Sequence, residues 1–89
     1  MYKMNSVVAE FLGTLLFLIV VIKKNDPISI ALGLLMALYV FGDVSGHFNP
    51  AISVMKAFQG QLEPSNVAMM VGGQLAAAYV APKVVAMMY

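Results

Sequence analysis

Three long apolar stretches alternate with short polar breaks along the chain. Residues 7–22 are apolar apart from Glu10 and Thr14. Lys23-Lys24-Asn25-Asp26-Pro27 interrupts them, and residues 28–44 are apolar again, with Asp43 near the end. A turn-forming box follows, Ser45-Gly46-His47-Phe48-Asn49-Pro50-Ala51, and leads into a short segment ending at Phe58. After the polar loop 59–66 comes the third apolar stretch, residues 67–88, with Gln74 inside it and Lys83 towards its end. Runs of this length predict helices at membrane depth. As helices, 7–22, 28–44 and 67–88 measure roughly 24, 25 and 33 Å against a hydrocarbon core of about 30 Å. The first is slightly short unless its flanks contribute. No internal repeat or low-complexity tract is visible.

The box predicts the start of a fourth helix. Asn49 is a favoured N-cap, and Pro50 suits the first helical position, where its missing N–H costs nothing. This helix, 50–58, stops before Gly60. It is about nine residues, or roughly 14 Å, so it reaches from one face of a bilayer to its midplane. Such a half-length helix aims free N–H groups and a positive dipole end at the middle of the membrane, as solute pores require. The alternative is that Asn49-Pro50 simply caps a buried helix. The chain is thus expected to be a single domain, 1–89: an all-α, multi-pass integral membrane protein with three transmembrane helices and one re-entrant half-helix. Small residues four apart, at Gly33/Ala37, Gly42/Gly46, Gly72/Ala76 and Gly73/Ala77, predict close helix packing in lipid. Ser65 or Asn66 is the expected cap of the third span, and Pro82 the place for a kink.

Composition supports the lipid setting. Hydrophobic residues make up 62% of the 89 and charged residues 10%, too apolar for a soluble domain of this size. A net charge of +1 without a basic run excludes a nucleic-acid partner. Without cysteine there is no disulfide frame or thiolate metal site. His47 is the sole histidine, so neither a metal site nor a proton relay can be assembled from imidazoles. No catalytic set can be placed; no enzyme activity, cofactor or metal is expected. Residues 7–22 have a rival reading as a signal peptide, but no small-residue cleavage site follows and Lys23-Lys24 come directly after. Lys3 and Lys56 fall towards one face, and Lys23, Lys24 and Lys83 towards the other. That near-even split leaves orientation open and permits both insertions.

Taken together, the motifs resemble one repeat of the aquaporin and aquaglyceroporin family, the major intrinsic proteins. Ala9-Glu10-Phe11-Leu12-Gly13-Thr14 resembles the family's first-helix pattern, Ser45 to Ala51 its Asn-Pro-Ala box with Ile52-Ser53-Val54 continuing it, and Gln74 with its small neighbours the third-helix stretch. The likeness covers nearly the whole chain. It implies a passive channel for water or small neutral solutes such as glycerol. The Asn49 amide would donate to the solute, the carbonyls of Gly46, His47 and Phe48 would accept, and Pro50 and Ala51 would complete the constriction. Glu10, Ser45 and Gln74 would support the loop, and His47 would have a structural role rather than one in pH gating.

This sequence departs from the family pattern in three ways. One repeat is visible where the family has two, inverted. The box lacks the small residue usual between its Gly and His. There is no arginine, and the second-helix filter position falls near Ile30 rather than an aromatic. The missing arginine and Ile30 imply a wider, less cationic constriction; the alternative is that the one-residue deletion narrows or plugs the path. The single repeat also implies a channel made by two copies inserted in opposite orientations. Such an antiparallel dimer has dual topology, and four of them would make an octamer by likeness to the family's tetramers. A fragment of a longer protein, pairing with a different half, and a non-conducting membrane interaction protein are the alternatives. Glu10 and Gln74 are expected to bond the loop backbone near Ser45 to Asn49, because irregular backbone at membrane depth must be satisfied. The bland reading for Glu10 is a place near the headgroups. Asp43 is expected at the interface or capping a loop rather than in transport.

Overall fold

The computed structural model describes residues 5–88. Four helices account for most of them: α1 (Ser6–Lys23), α2 (Pro27–Phe41), α3 (Pro50–Phe58) and α4 (Pro64–Met87). Lys3 lies outside the described residues, so its place in the charge distribution is not among the structural observations.

Three of the four helices start on side-chain caps visible in the chain. The Val7 N–H donates to the Asn5 side chain at 2.7 Å, capping α1. The Ser29 N–H donates to the Asp26 carboxylate at 2.9 Å, with Pro27 in the first turn of α2. The Ser29 backbone N–H and then its hydroxyl, with the Lys24 charge nearby, hold the exposed Asp26 carboxyl below its ordinary value. The Ala51 N–H donates to the Asn49 side chain at 2.8 Å, capping α3. α4 differs from the expected start: it begins at Pro64, with Glu63 as a cap that makes no side-chain bond. Ser65 and Asn66 are already helical, because Pro64 is preorganised for the first turn. The end of α2 differs too. Apolar character continues to Val44, but the helix stops at Phe41, and the Val44 and Ser45 N–H groups both donate to the Phe41 carbonyl in a turn. Gly42 and Asp43 favour turn over helix.

α1 and α4 are long and apolar enough to cross a membrane; α2 is a shorter apolar helix. α1 is the centre of the packing. Among the described residues, α2 packs on α1 alone, α4 packs on α1 and α3, and α3 packs on α4. α4 buries Val67, Met70, Gly73, Gln74, Ala77, Ala81 and Val85 along one side. α3 meets its N-terminal half through Ser53 and Gln74, so α1 covers the remainder as far as Val85. With Val7 beside Gly73, α1 and α4 therefore run in the same direction.

Small residues permit these approaches. A Cβ at Gly73 would lie 3.1 Å from the Val7 carbonyl oxygen, and one at Gly33 would lie 2.8 Å from Val20. Ala37 and Ala77 are fully buried beside them. Of the two registers open in α4, Gly73/Ala77 meets α1, while Gly72 and Ala76 are exposed. Gly42 and Gly46 do not form a packing stripe; they approach each other within the turn. The outer face of α2 (Ile28, Leu32, Leu35, Met36, Tyr39 and Val40) is exposed. An apolar face of that extent suits hydrocarbon or protein rather than water.

The unequal surroundings of the paired glycines give a direct check. Gly73→Val should destabilise the detergent-solubilised protein by about 1–3 kcal/mol, the usual effect of overpacking. Gly72→Val, with nothing within 4 Å of its added Cβ, should change the thermal midpoint little. Equal effects at both positions would contradict this packing.

Candidate functional site

Glu10 stands one turn into α1 and is 0% exposed. Its two carboxylate oxygens gather four donors from two parts of the chain, the loop after α2 and α4. Oε2 accepts from the Ser45 hydroxyl and, at 2.9 Å, from the His47 N–H. Oε1 accepts from the Phe48 N–H at 2.7 Å and from Gln74 Nε2 at 2.9 Å. Two backbone N–H groups and an amide NH₂ can only donate, so the arrangement saturates a carboxylate. Glu10 is thus inside protein, not at the periphery of α1.

The network continues into α3. Gln74 Nε2 also donates to Ser53 Oγ at 2.9 Å, and Ser53 Oγ lies 2.9 Å from His47 Nδ1. Gln74 is 2% exposed and Ser53 fully buried. Gln74 differs from its expected role. It bonds the side chains of Glu10 and Ser53 rather than the loop backbone, because Glu10 itself takes the loop's N–H groups. Gln74 Oε1 and Thr14 Oγ1 are buried and make no hydrogen bond among the described residues.

The loop held this way has an uncommon backbone. Phe48 has φ +53°, alone among the described non-glycine residues in the left-handed region. Its N–H is tied to Glu10, and its ring, 4% exposed, lies against Gly13, where any side chain would collide with it. These contacts offset the backbone cost, which is of order 1–3 kcal/mol for such a conformation. The loop's N–H groups are thereby turned inward. No hydrogen bond among the described residues reaches the carbonyls of Gly46, His47 or Phe48. Gly46, His47 and Pro50 are half-buried, and Asn49 and Ala51 are exposed. Asn49 Oδ1 is committed to the Ala51 N–H, and the Asn49 NH₂ makes no hydrogen bond among the described residues. Ile30 is half-buried in the first turn of α2. Asp43 is exposed in the turn after α2.

Sequence reasoning overlooked Ser53 and Gly13 as parts of this site. The signal for Ser53 was a lone hydroxyl on an apolar helix, one turn after the cap. Gly13 carried none, because a glycine under an aromatic ring is indistinguishable in sequence from one facing another helix.

The saturation of Glu10 makes a sharp expectation. Glu10→Gln replaces one acceptor oxygen with an NH₂ that faces two donors. The loss should be at least about 1–3 kcal/mol, the cost of a buried unsatisfied donor. Ser45→Ala removes one donor and leaves three, so it should cost about 1 kcal/mol. Denaturation of the two variants in detergent would check the order; a Glu10→Gln protein as stable as the native one would refute it.

Relatives place this geometry in a family. The family model described as major intrinsic protein matches residues 1–89. The chain is 33% identical over 88 residues to "Glycerol uptake facilitator protein-like 6" of Lactiplantibacillus plantarum, covering 88% of this chain and 41% of that protein. It is 33% identical over 104 residues to the "Probable glycerol uptake facilitator protein" of Thermotoga maritima, covering 97% of this chain and 44% of that one. The chain thus spans less than half the length of either relative. No solved structure matches it. The chain belongs to the major intrinsic protein family and is an integral membrane protein.

Proposed function

We propose that this chain builds one half of a passive channel for water and small neutral solutes such as glycerol. The observation that carries the reading is the row of free groups at the start of α3. Three successive carbonyls, at Gly46, His47 and Phe48, and the adjacent Asn49 NH₂ have no hydrogen-bond partner among the described residues. Acceptors and a donor at successive positions replace the hydrogen bonds that a water or hydroxyl loses on entering an apolar tube. In this reading α1, α2 and α4 cross the bilayer. α3, of nine residues, enters from one face and ends near the midplane with Asn49, Pro50 and Ala51 at the constriction. The positive end of its dipole disfavours cations there. Glu10, Ser45 and Gln74 hold the loop, and Ile30 takes the filter position, where it leaves the constriction wider than an aromatic would. The names of the two relatives favour glycerol over water alone.

Osmotic shrinking and recovery of proteoliposomes tests the channel. Water and glycerol should both equilibrate faster than in empty vesicles. Unchanged permeability to both would eliminate the channel, and water passage with glycerol excluded would eliminate the wide constriction.

The other half of the pore we assign to a second copy in the opposite orientation. The uncovered loop backbone supports this, since each polar group left facing hydrocarbon costs several kcal/mol. Inverted repeats about an axis in the membrane plane solve the same problem in other transport folds. Two Asn49 caps would meet on the two-fold axis. Single cysteines placed before Asn5 and in the 23–26 loop, probed with an impermeant thiol reagent in sealed cells, test it. Each site should label from outside in part of the population. Labelling of one site alone, in every molecule, would exclude the antiparallel pair.

A further inference from the structure

We infer that Gly13 is a positioning residue for the solute path: by carrying no side chain it seats the Phe48 ring, and the seat aims the Phe48 carbonyl. The size of residue 13 thus sets how well the path accepts glycerol relative to water; the inference rests on the channel reading above. Phe48 is fixed at three points. Its N–H donates to Glu10 Oε1 at 2.7 Å. Its ring, 4% exposed, lies against Gly13. On its C-terminal side, Asn49 and Pro50 begin α3 with the Asn49 cap in place. Between these points the backbone takes φ +53°, a region that a bulky residue holds only when its surroundings over-determine it. The backbone angles set the direction of the carbonyl, so what holds the ring also aims the carbonyl. That carbonyl makes no hydrogen bond among the described residues. It is one of the three that the channel reading gives to the solute.

The surroundings of the helical glycines separate this role from ordinary helix packing. Gly33 and Gly73 meet α1, at Val20 and at Val7, whereas Gly13 meets the ring of the loop residue Phe48. A Cβ at Gly13 would lie 2.1, 2.5 and 2.8 Å from Cε1, Cζ and Cδ1 of that ring. To reach ordinary contact at 3.4 Å, the ring must retreat by more than an ångström. With the Phe48 N–H held at Glu10, the retreat is taken up by rotation about the bonds of Phe48, and the carbonyl turns with it. α1 itself is not weakened, since Ala favours helix over Gly. Glycerol carries three hydroxyls and needs several fixed groups matched at once. A water carries one oxygen and re-aims at each step. A misaimed carbonyl therefore costs glycerol more than it costs water.

Proteoliposome permeabilities to glycerol and water, each corrected for empty vesicles, test this in native, Gly13→Ala, Gly13→Ala/Phe48→Leu and Gly72→Ala proteins. The expected result is a glycerol-to-water ratio about fivefold lower in Gly13→Ala, the equivalent of one hydrogen bond. In the double variant the shorter side chain makes room for the added Cβ, and most of the ratio should return. Gly72→Ala, with nothing within 4 Å of its Cβ, should keep the native ratio. The ratio is independent of how many channels assemble. If Gly13→Ala does not reach the membrane, the double variant carries the test and should assemble with close to the native ratio. An unchanged ratio in Gly13→Ala overturns the inference and leaves the channel intact, including where both fluxes fall in parallel, which marks Gly13 as packing alone. So does a double variant no better than Gly13→Ala. A native protein that passes neither solute, or water alone, fails the reading above and takes this inference with it.

Discussion

A carboxylate buried with no cation beside it among the described residues is the constraint on which this structure turns. Burying an ionised group is tolerable only when its acceptor sites are filled by good donors. Glu10 collects two backbone N–H groups, a hydroxyl and an amide. Those donors come from segments that would otherwise have little reason to meet. The loop after α2 is pulled across α1, α4 is held in register by Gln74, and α3 is tied on through Ser53. The left-handed Phe48 follows from the same demand, since its N–H must point at Glu10 while its ring settles over Gly13.

The apolar surfaces divide along the same logic. In lipid there is no hydrophobic drive to bring helices together, so close backbone approach and polar contacts do that work. α1 and α4 meet over Gly73 and Ala77, and α1 and α2 over Gly33 and Ala37. The outer face of α2, made of large apolar residues and Tyr39, has no such small residues. One helix thus carries both kinds of surface.

Much of this was legible in the chain. α3 could be read from its two ends, because Asn49-Pro50 and Gly60 are strong punctuation. The end of α2 could not, since hydropathy runs on through Val44 while the turn chemistry of Gly42-Asp43 stops the helix. The start of α4 was hidden because Pro64 begins it without a capping side chain. Two small-residue registers in α4 were equivalent in sequence. What separates them is that Gln74, next to Gly73, must face Glu10. The polar residues of the site announced themselves as polar groups in apolar runs. The path between them did not, because Ser53 gains meaning only once Gln74 is seen to donate to it.

The bond between Gln74 and Glu10 joins residues 64 apart in sequence, and that separation orders assembly in time. In a chain made from its N-terminus, Glu10 is synthesised before Gln74. Until α4 arrives, one donor to Glu10 is absent, and Ser53 lacks the amide that orients it. α4 therefore acts as the latch for a loop that precedes it in sequence.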